Sequence, residues 1–205
     1  ETQPGAFIDG LETAGTSGGT VSNAFGSNTI SSVVITSTAT NATGYNFGEL
    51  LSSTLSGTVF TDSNNNGALN GGESGIASVQ ITLTGTDSFG QSVSQVLSTD
   101  GSGNYSFANL RPGTYTLTEA QPAGFLDGRE TVGTQASGTV NNLADSNTIS
   151  NIALGQGITG SGNLFGELQP SSLSGFVYGD LSNFGVKYAF ENGIGGVSIT
   201  LTGID

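Results

Sequence analysis

Apolar and polar residues alternate in short runs along this chain, and Gly, Asn, Asp and Pro punctuate the runs. Alternation with a period of two puts one set of side chains on each face of an extended strand. The clearest run is 78–84, where Val79, Ile81 and Leu83 share one face and Gln80, Thr82 and Thr84 the other. Residues 55–61 predict an earlier strand, with Val59 and Phe60 facing opposite ways. Residues 92–98 and 104–107 flank Asp100-Gly101-Ser102-Gly103, which predicts a hairpin whose glycines are free to take positive φ. Arg111-Pro112-Gly113 then turns the chain into 114–119, with Tyr115 and Leu117 inward and Thr114, Thr116 and Thr118 outward. Two further strands are predicted near 148–154 and 163–168, and no stretch has the spacing of an amphipathic helix. About seven strands and no helix predict an all-β, immunoglobulin-like or transthyretin-like β-sandwich.

The pattern also repeats. Leu55-Ser56-Gly57 returns 118 positions later as Leu173-Ser174-Gly175, and Phe47-Gly48-Glu49-Leu50 returns as Phe165-Gly166-Glu167-Leu168. Across 55–87 against 173–205, 17 of 33 aligned positions are identical without a gap. A period this long is one whole domain per copy rather than a solenoid repeat. The expected organisation is therefore tandem: 1–52 as the C-terminal part of one repeat, 53–170 as a complete one, and 171–205 as the N-terminal part of the next. Either the chain is a window on a longer array, or front and back pieces of successive chains complete each other. The expected partners are neighbouring repeats and, in the second case, identical chains in a filament.

Charge narrows the function classes. Sixteen acidic residues face only three basic ones, Arg111, Arg129 and Lys187, for a net charge of −13. Such a surface repels phosphate backbones, which argues against nucleic acid, and it suits divalent cations. No apolar run is long enough for a membrane-spanning helix. His and Cys are absent, which removes most nucleophile–base pairs, so an enzyme is not expected.

One segment carries chemistry. In residues 62–73, Asp62, Asn64, Asn66, Gly67, Asn70 and Glu73 occupy positions 1, 3, 5, 6, 9 and 12 of the twelve-residue calcium loop. Calcium takes six to eight oxygens, and this spacing wraps alternate side chains around it. The Ala68 carbonyl supplies position 7, and Glu73 chelates with both oxygens. Asn and Gly are also common turn formers, so a metal-free turn is the competing explanation. Only Asp62 and Glu73 are anionic, which predicts weak affinity, about 10⁻⁴–10⁻³ M, as in extracellular modules. In the next copy, Asp180, Gly185 and Glu191 keep positions 1, 6 and 12, but Phe184 and Tyr188 replace Asn66 and Asn70. That loop is expected to bind poorly or through other ligands. Asp100, with Ser102 and Asn104, is a further cation candidate that turn chemistry explains equally well. Asp127 and Glu130, which recur as Asp9 and Glu12, either contribute another cation site or solvate a loop.

These residues resemble a known family. Ser56-Gly57-Thr58-Val59-Phe60, the 62–73 loop, Val79-Gln80-Ile81-Thr82-Leu83, Leu110-Arg111-Pro112-Gly113-Thr114-Tyr115 and Glu119-Ala120-Gln121-Pro122-Ala123-Gly124-Phe125 are similar to the B-type repeat of serine–aspartate-repeat surface adhesins. The resemblance implies a calcium-stabilised β-sandwich serving as a stalk or spacer in bacterial surface and secreted proteins. It places calcium on Asp62, Asn64, Asn66, Asn70 and Glu73. Related collagen-adhesin domains often carry a lysine–asparagine crosslink, which residues 53–170 exclude because they contain no lysine. The expected function is an extracellular structural, adhesive or fibre-forming module. The rival is a carbohydrate-binding module accessory to a secreted enzyme.

Overall fold

A computed structural model describes every residue except 23–25, 39–40, 136, 141, 143–145 and 204–205, and the described residues form thirteen strands and no helix. The strands are β1 (Phe7–Thr13), β2 (Thr20–Val21), β3 (Ile30–Ser31), β4 (Asn46–Leu51), β5 (Ser53–Thr61), β6 (Gln80–Asp87) and β7 (Ser92–Ser98). There follow β8 (Asn104–Leu110), β9 (Gly113–Glu119), β10 (Leu126–Thr131), β11 (Thr139–Val140), β12 (Thr148–Leu154) and β13 (Thr159–Leu168). Two units separate by contact, Glu1–Pro170 and Ser171–Asp205.

Nine strands of the first unit, β5–β13, form a sandwich of two sheets, ordered β10-β13-β5-β8 and β11-β12-β9-β6-β7. β13 runs parallel to β5, and the other pairings are antiparallel. The core lies between the sheets. Leu55 and Val59 from β5, Ile81 and Leu83 from β6, Tyr115 and Leu117 from β9, Ile149 and Ile152 from β12 and Phe165 from β13 are all buried there. Alternation along β6 and β9 places every second side chain inside, as the sequence pattern predicts. Tyr105, Phe107 and Tyr115 are core residues, so no aromatic platform is offered by them. The Tyr115 hydroxyl donates to the Arg111 carbonyl four residues upstream at 2.8 Å, pinning the turn into β9.

Two expectations need correction. The count is nine strands rather than about seven, because β10 and the short β11 lie in Gly- and polar-rich stretches with weak alternation. The hairpin expected at 100–103 does not form: β7 pairs with β6 in one sheet, and β8 pairs with β5 in the other. The tight turn is there, with Gly103 at φ 78°, but it carries the chain across the sandwich. Thr99 exchanges backbone bonds with Ser78 and Val79, while the Gly103 carbonyl accepts from Val59 N. The two ends of one turn are thus captured by different sheets.

Ahead of the sandwich, β1 pairs with β4 and β2 with β3. This repeats the pairing of β10 with β13 and β11 with β12, including the bulge between Asp9 and Glu12 that matches the one between Asp127 and Glu130. Only Ser52 separates β4 from β5. The Ser53 hydroxyl donates to Gly155 O at 2.7 Å and accepts from Ile158 N at 3.0 Å, fastening the passage to the β12–β13 turn.

The second unit keeps one bridge, Tyr178 with Gly193, the counterpart of Phe60 with Gly75. Among its described residues no strand forms, although Leu173, Phe176, Ile199 and Leu201 continue the alternating pattern and are exposed. In the sandwich, β5 lies between β13 and β8, and β6 lies between β9 and β7. Residues 171–205 contain no counterpart of those four neighbours.

Candidate metal centre

The 62–73 loop leaves the end of β5 with Asp62 fully buried. Its carboxylate closes the loop from within: Oδ1 accepts from Asn66 N at 3.1 Å and Oδ2 from Gly67 N at 2.6 Å. Glu73 closes the far side, with Oε1 accepting from Ser63 N at 2.9 Å and Oε2 from Asn70 N at 2.8 Å. Asn65 at φ 53° and Gly67 at φ 73° supply the left-handed residues that curl the backbone around these two groups. Thr131 of β10 fastens the loop from outside by donating to the Gly67 carbonyl at 2.6 Å.

Inside this frame, the Asn70 side-chain NH₂ donates to the Ala68 carbonyl at 2.8 Å and to Asn66 Oδ1 at 3.2 Å. Two of the expected ligand oxygens therefore converge on a single positively polarised group. An oxygen turned to that point in place of the amide nitrogen would leave three acceptors facing one another, an arrangement that a cation relieves. The donor set, entirely oxygen with two carboxylates, fits a hard cation such as calcium.

The 180–191 loop builds the same frame. Asp180 accepts from Phe184 N at 3.3 Å and Gly185 N at 2.9 Å, and Glu191 accepts from Leu181 N at 3.0 Å and Tyr188 N at 2.9 Å. Asn183 and Gly185 take the left-handed turns, at φ 55° and 71°. The donations from Gly185 and its neighbours hold the Asp180 carboxyl below its usual range. Positions 1, 6 and 12 thus set the loop backbone. Phe184 and Tyr188 remove the side-chain oxygens of positions 5 and 9, and Tyr188 stacks on Phe190 instead, with centroids 5.5 Å apart.

Asp100 is engaged by its own turn. Its Oδ1 accepts from Ser102 N and Asn104 N, both at 2.8 Å, which lowers its pKa, and the Asn104 side-chain oxygen takes the Thr58 hydroxyl at 3.0 Å. The expected trio is brought together, but as an Asx turn.

Asp127 and Glu130 stand elsewhere, on β10, and they do not stand alone. The bulge opposes the three steps from Asp127 to Glu130 with the two from Glu167 to Phe165 on β13. One extra residue returns both carboxylates to the same face of the strand. There they act on Glu119, the last residue of β9 in the other sheet, together with Glu167 of β13. Burial, followed by the Glu167 charge, pushes the Glu119 carboxyl far above its usual range. Burial raises Glu167 as well, and it lifts Glu130 to about 7. Sequence reading missed Glu119 and Glu167. The signal was present, since Glu1 and Glu49 stand 118 positions before them.

Arg111 was also missed. It is buried, with its guanidinium 4.3 Å above the Phe89 ring, and it pairs with Asp9 at 3.8 Å and Asp87 at 4.0 Å. It also donates to the Asp9 carbonyl. Arg111 thereby ties the bulge of β1 to the sandwich.

A family model describing the SdrD B-like domain matches residues 53–161, which span most of the two sheets and the whole 62–73 loop. The chain belongs to the SdrD B-like domain family. It is accordingly a β-sandwich repeat module of the surface-adhesin type. No curated protein matches the chain. Among solved structures, the crystal structure of the major plantain pollen allergen Pla l 1 is 11% identical, with a TM-score of 0.34. That alignment covers 59% of this chain and 98% of the allergen, a likeness too slight to carry an argument. Among the described residues no helix is long and apolar enough to cross a membrane.

Proposed function

We propose that this SdrD B-like chain is a calcium-stabilised spacer in a tandem array on a bacterial surface or in a secreted filament, with its 62–73 loop as the metal site. The observation that carries the reading is the convergence of Asn66 Oδ1 and Ala68 O on the Asn70 amide, inside a frame closed by Asp62 and Glu73. An ion there ties the end of β5 to the segment leading into β6. It stabilises the fold by mass action, because only the folded loop gathers the ligands. With two carboxylates the affinity falls near 10⁻⁴–10⁻³ M, which suits calcium-rich extracellular surroundings. Repetition at 118 residues gives such a module its use: domains in series span distance and multiply weak contacts.

Equilibrium dialysis and thermal melts of the whole chain test the loop. Calcium raises the melting temperature of the wild type, and Glu73→Ala loses one bound ion and part of that rise. Equal ion counts for Glu73→Ala and wild type would remove calcium from the loop.

A further inference from the structure

Exposed apolar side chains in residues 171–205 are of two kinds. Ile199 and Leu201 are 74% and 78% exposed, yet their counterparts 118 positions earlier, Ile81 and Leu83, are fully buried in the sandwich core. They lie open because no strand pairs with their segment. Leu181, Phe184, Val186, Tyr188 and Phe190 differ. They stand where the 62–73 loop has Ser63, Asn66, Ala68, Asn70 and Gly72, and all five of those positions are exposed in the complete sandwich. A Cβ built on Gly72 meets nothing within 4 Å. Supplying the missing strands would bury Ile199 and Leu201 and leave the loop side chains in water.

One backbone frame thus carries a polar surface in one copy and five apolar side chains in the next. The frame does not need them, because Asp180, Gly185 and Glu191 hold it as Asp62, Gly67 and Glu73 do. A clustered apolar patch of this kind on a surface is a contact site. Its charge narrows the partner. Glu191 is 2% exposed with its oxygens on the Leu181, Ser182 and Tyr188 amides, and Asp180 is turned to Phe184 N and Gly185 N. The patch therefore presents rings, a phenol and Lys187, the only lysine of the chain. A basic surface meets that ammonium, whereas a second copy or an anionic membrane is repelled by a chain of net charge −13. An uncharged ligand pays neither cost.

We propose that the 180–191 loop is a binding platform for a neutral glycan chain, with Phe184, Tyr188 and Phe190 as its aromatic surface. The Tyr188 and Phe190 rings lie 7° from parallel with centroids 5.5 Å apart, so they offer a stepped pair of flat faces in one orientation. The face of an aromatic ring is electron-rich, and the C–H bonds on one side of a pyranose are its polarised complement. The Tyr188 hydroxyl and the Lys187 ammonium supply a donor and acceptor, and a second donor, for the sugar hydroxyls at the edge. The two loops of the chain then put one frame to two uses, and the reading of 62–73 as a metal site stands or falls separately.

The test is affinity electrophoresis of the full chain through gels holding soluble β-glucan, xylan or mannan, beside depletion onto insoluble cellulose and chitin. A double variant, Phe184→Asn with Tyr188→Asn, installs the residues that the 62–73 loop has at those positions, and Phe190→Gly is an independent second variant. At least one of these glycans is expected to retain the wild type, with the double variant held at least about tenfold more weakly and Phe190→Gly weakened in the same direction. Leu201→Ser removes an apolar side chain exposed for want of a strand, and it is expected to bind as the wild type does. The proposal is overturned if no glycan of the panel retains the wild type, or if both loop variants are retained equally well. It is overturned too if Leu201→Ser weakens retention as much as the loop variants, because the binding then comes from unpaired strands. Loss in the loop variants of dimer sedimentation, or of flotation with phosphatidylcholine vesicles, in place of glycan retention would make the patch a protein or membrane contact and overturn it equally.

Discussion

Two acidic centres lie a few residues apart across β5 and β13, and they solve the problem of buried negative charge in opposite ways. In the 62–73 loop, all four carboxylate oxygens of Asp62 and Glu73 accept a backbone N–H. In the cluster around Glu119, carboxylate oxygens from two sheets face one another with few donors. The loop is built from local sequence and folds around its own amides, whereas the cluster is assembled by tertiary structure and is relieved by taking up protons. A backbone bond, Asp62 N to Glu167 O at 2.8 Å, joins the two centres.

The widest separation between them is expected from pH. Glu119, Glu130 and Glu167 have folded pKa values above the ordinary 4.5, with Glu130 near 7. The folded, chelated chain therefore keeps protons that the unfolded chain releases, and its stability falls as pH rises from about 4.5 through 7 and beyond. Urea midpoints measured with chelator at pH 5, 6, 7 and 8 should decline along the series. A midpoint that rises across this range would mean the cluster is not built as described.

Asp62→Ala attacks the loop at its buried anchor. The buried Gly67 N–H loses its acceptor while the exposed Asn66 N–H keeps Asn64 Oδ1, at an expected cost of about 1–3 kcal/mol even without calcium. Denaturant unfolding in chelator measures it. A loss below 1 kcal/mol would show that the frame is not formed without metal.

The smallest effect concerns how the loop docks on β10, the strand that carries Asp127 and Glu130. Gly67 and Gly72 both have positive φ, at 73° and 98°. A Cβ on Gly72 meets nothing within 4 Å, while one on Gly67 comes within 2.8 Å of Thr131 Oγ1. Gly67→Ala should therefore cost about 1 kcal/mol more than Gly72→Ala, the worth of the displaced Thr131 bond. Equal melting temperatures for the two variants would show that the loop is not held by β10.

The strands from β5 to β9, β12 and β13 and the inward faces of β6 and β9 were legible because alternation is a local pattern that survives in any context. The loop was legible for the same reason, since positions 1, 6 and 12 act through bonds within twelve residues, and residues 180–191 adopt the frame even where neighbouring strands are missing. What escaped the sequence was everything decided by partners distant along the chain. The turn at 100–103 looked like a hairpin because a turn encodes reversal but not which sheet receives its ends. Arg111 read only as part of a turn until Asp9, 102 positions away, closed on it. Glu119 and Glu167 were ordinary strand-end acids until the bulge in β10 and the stacking of two sheets placed them together. The chain alone determined a sequence repeat of 118 residues, a β-sandwich over 53–170 and a loop with the spacing of a calcium loop. Tertiary structure decided where its charges are buried, because burial and like-charge contact are properties of packed surfaces and not of any one segment.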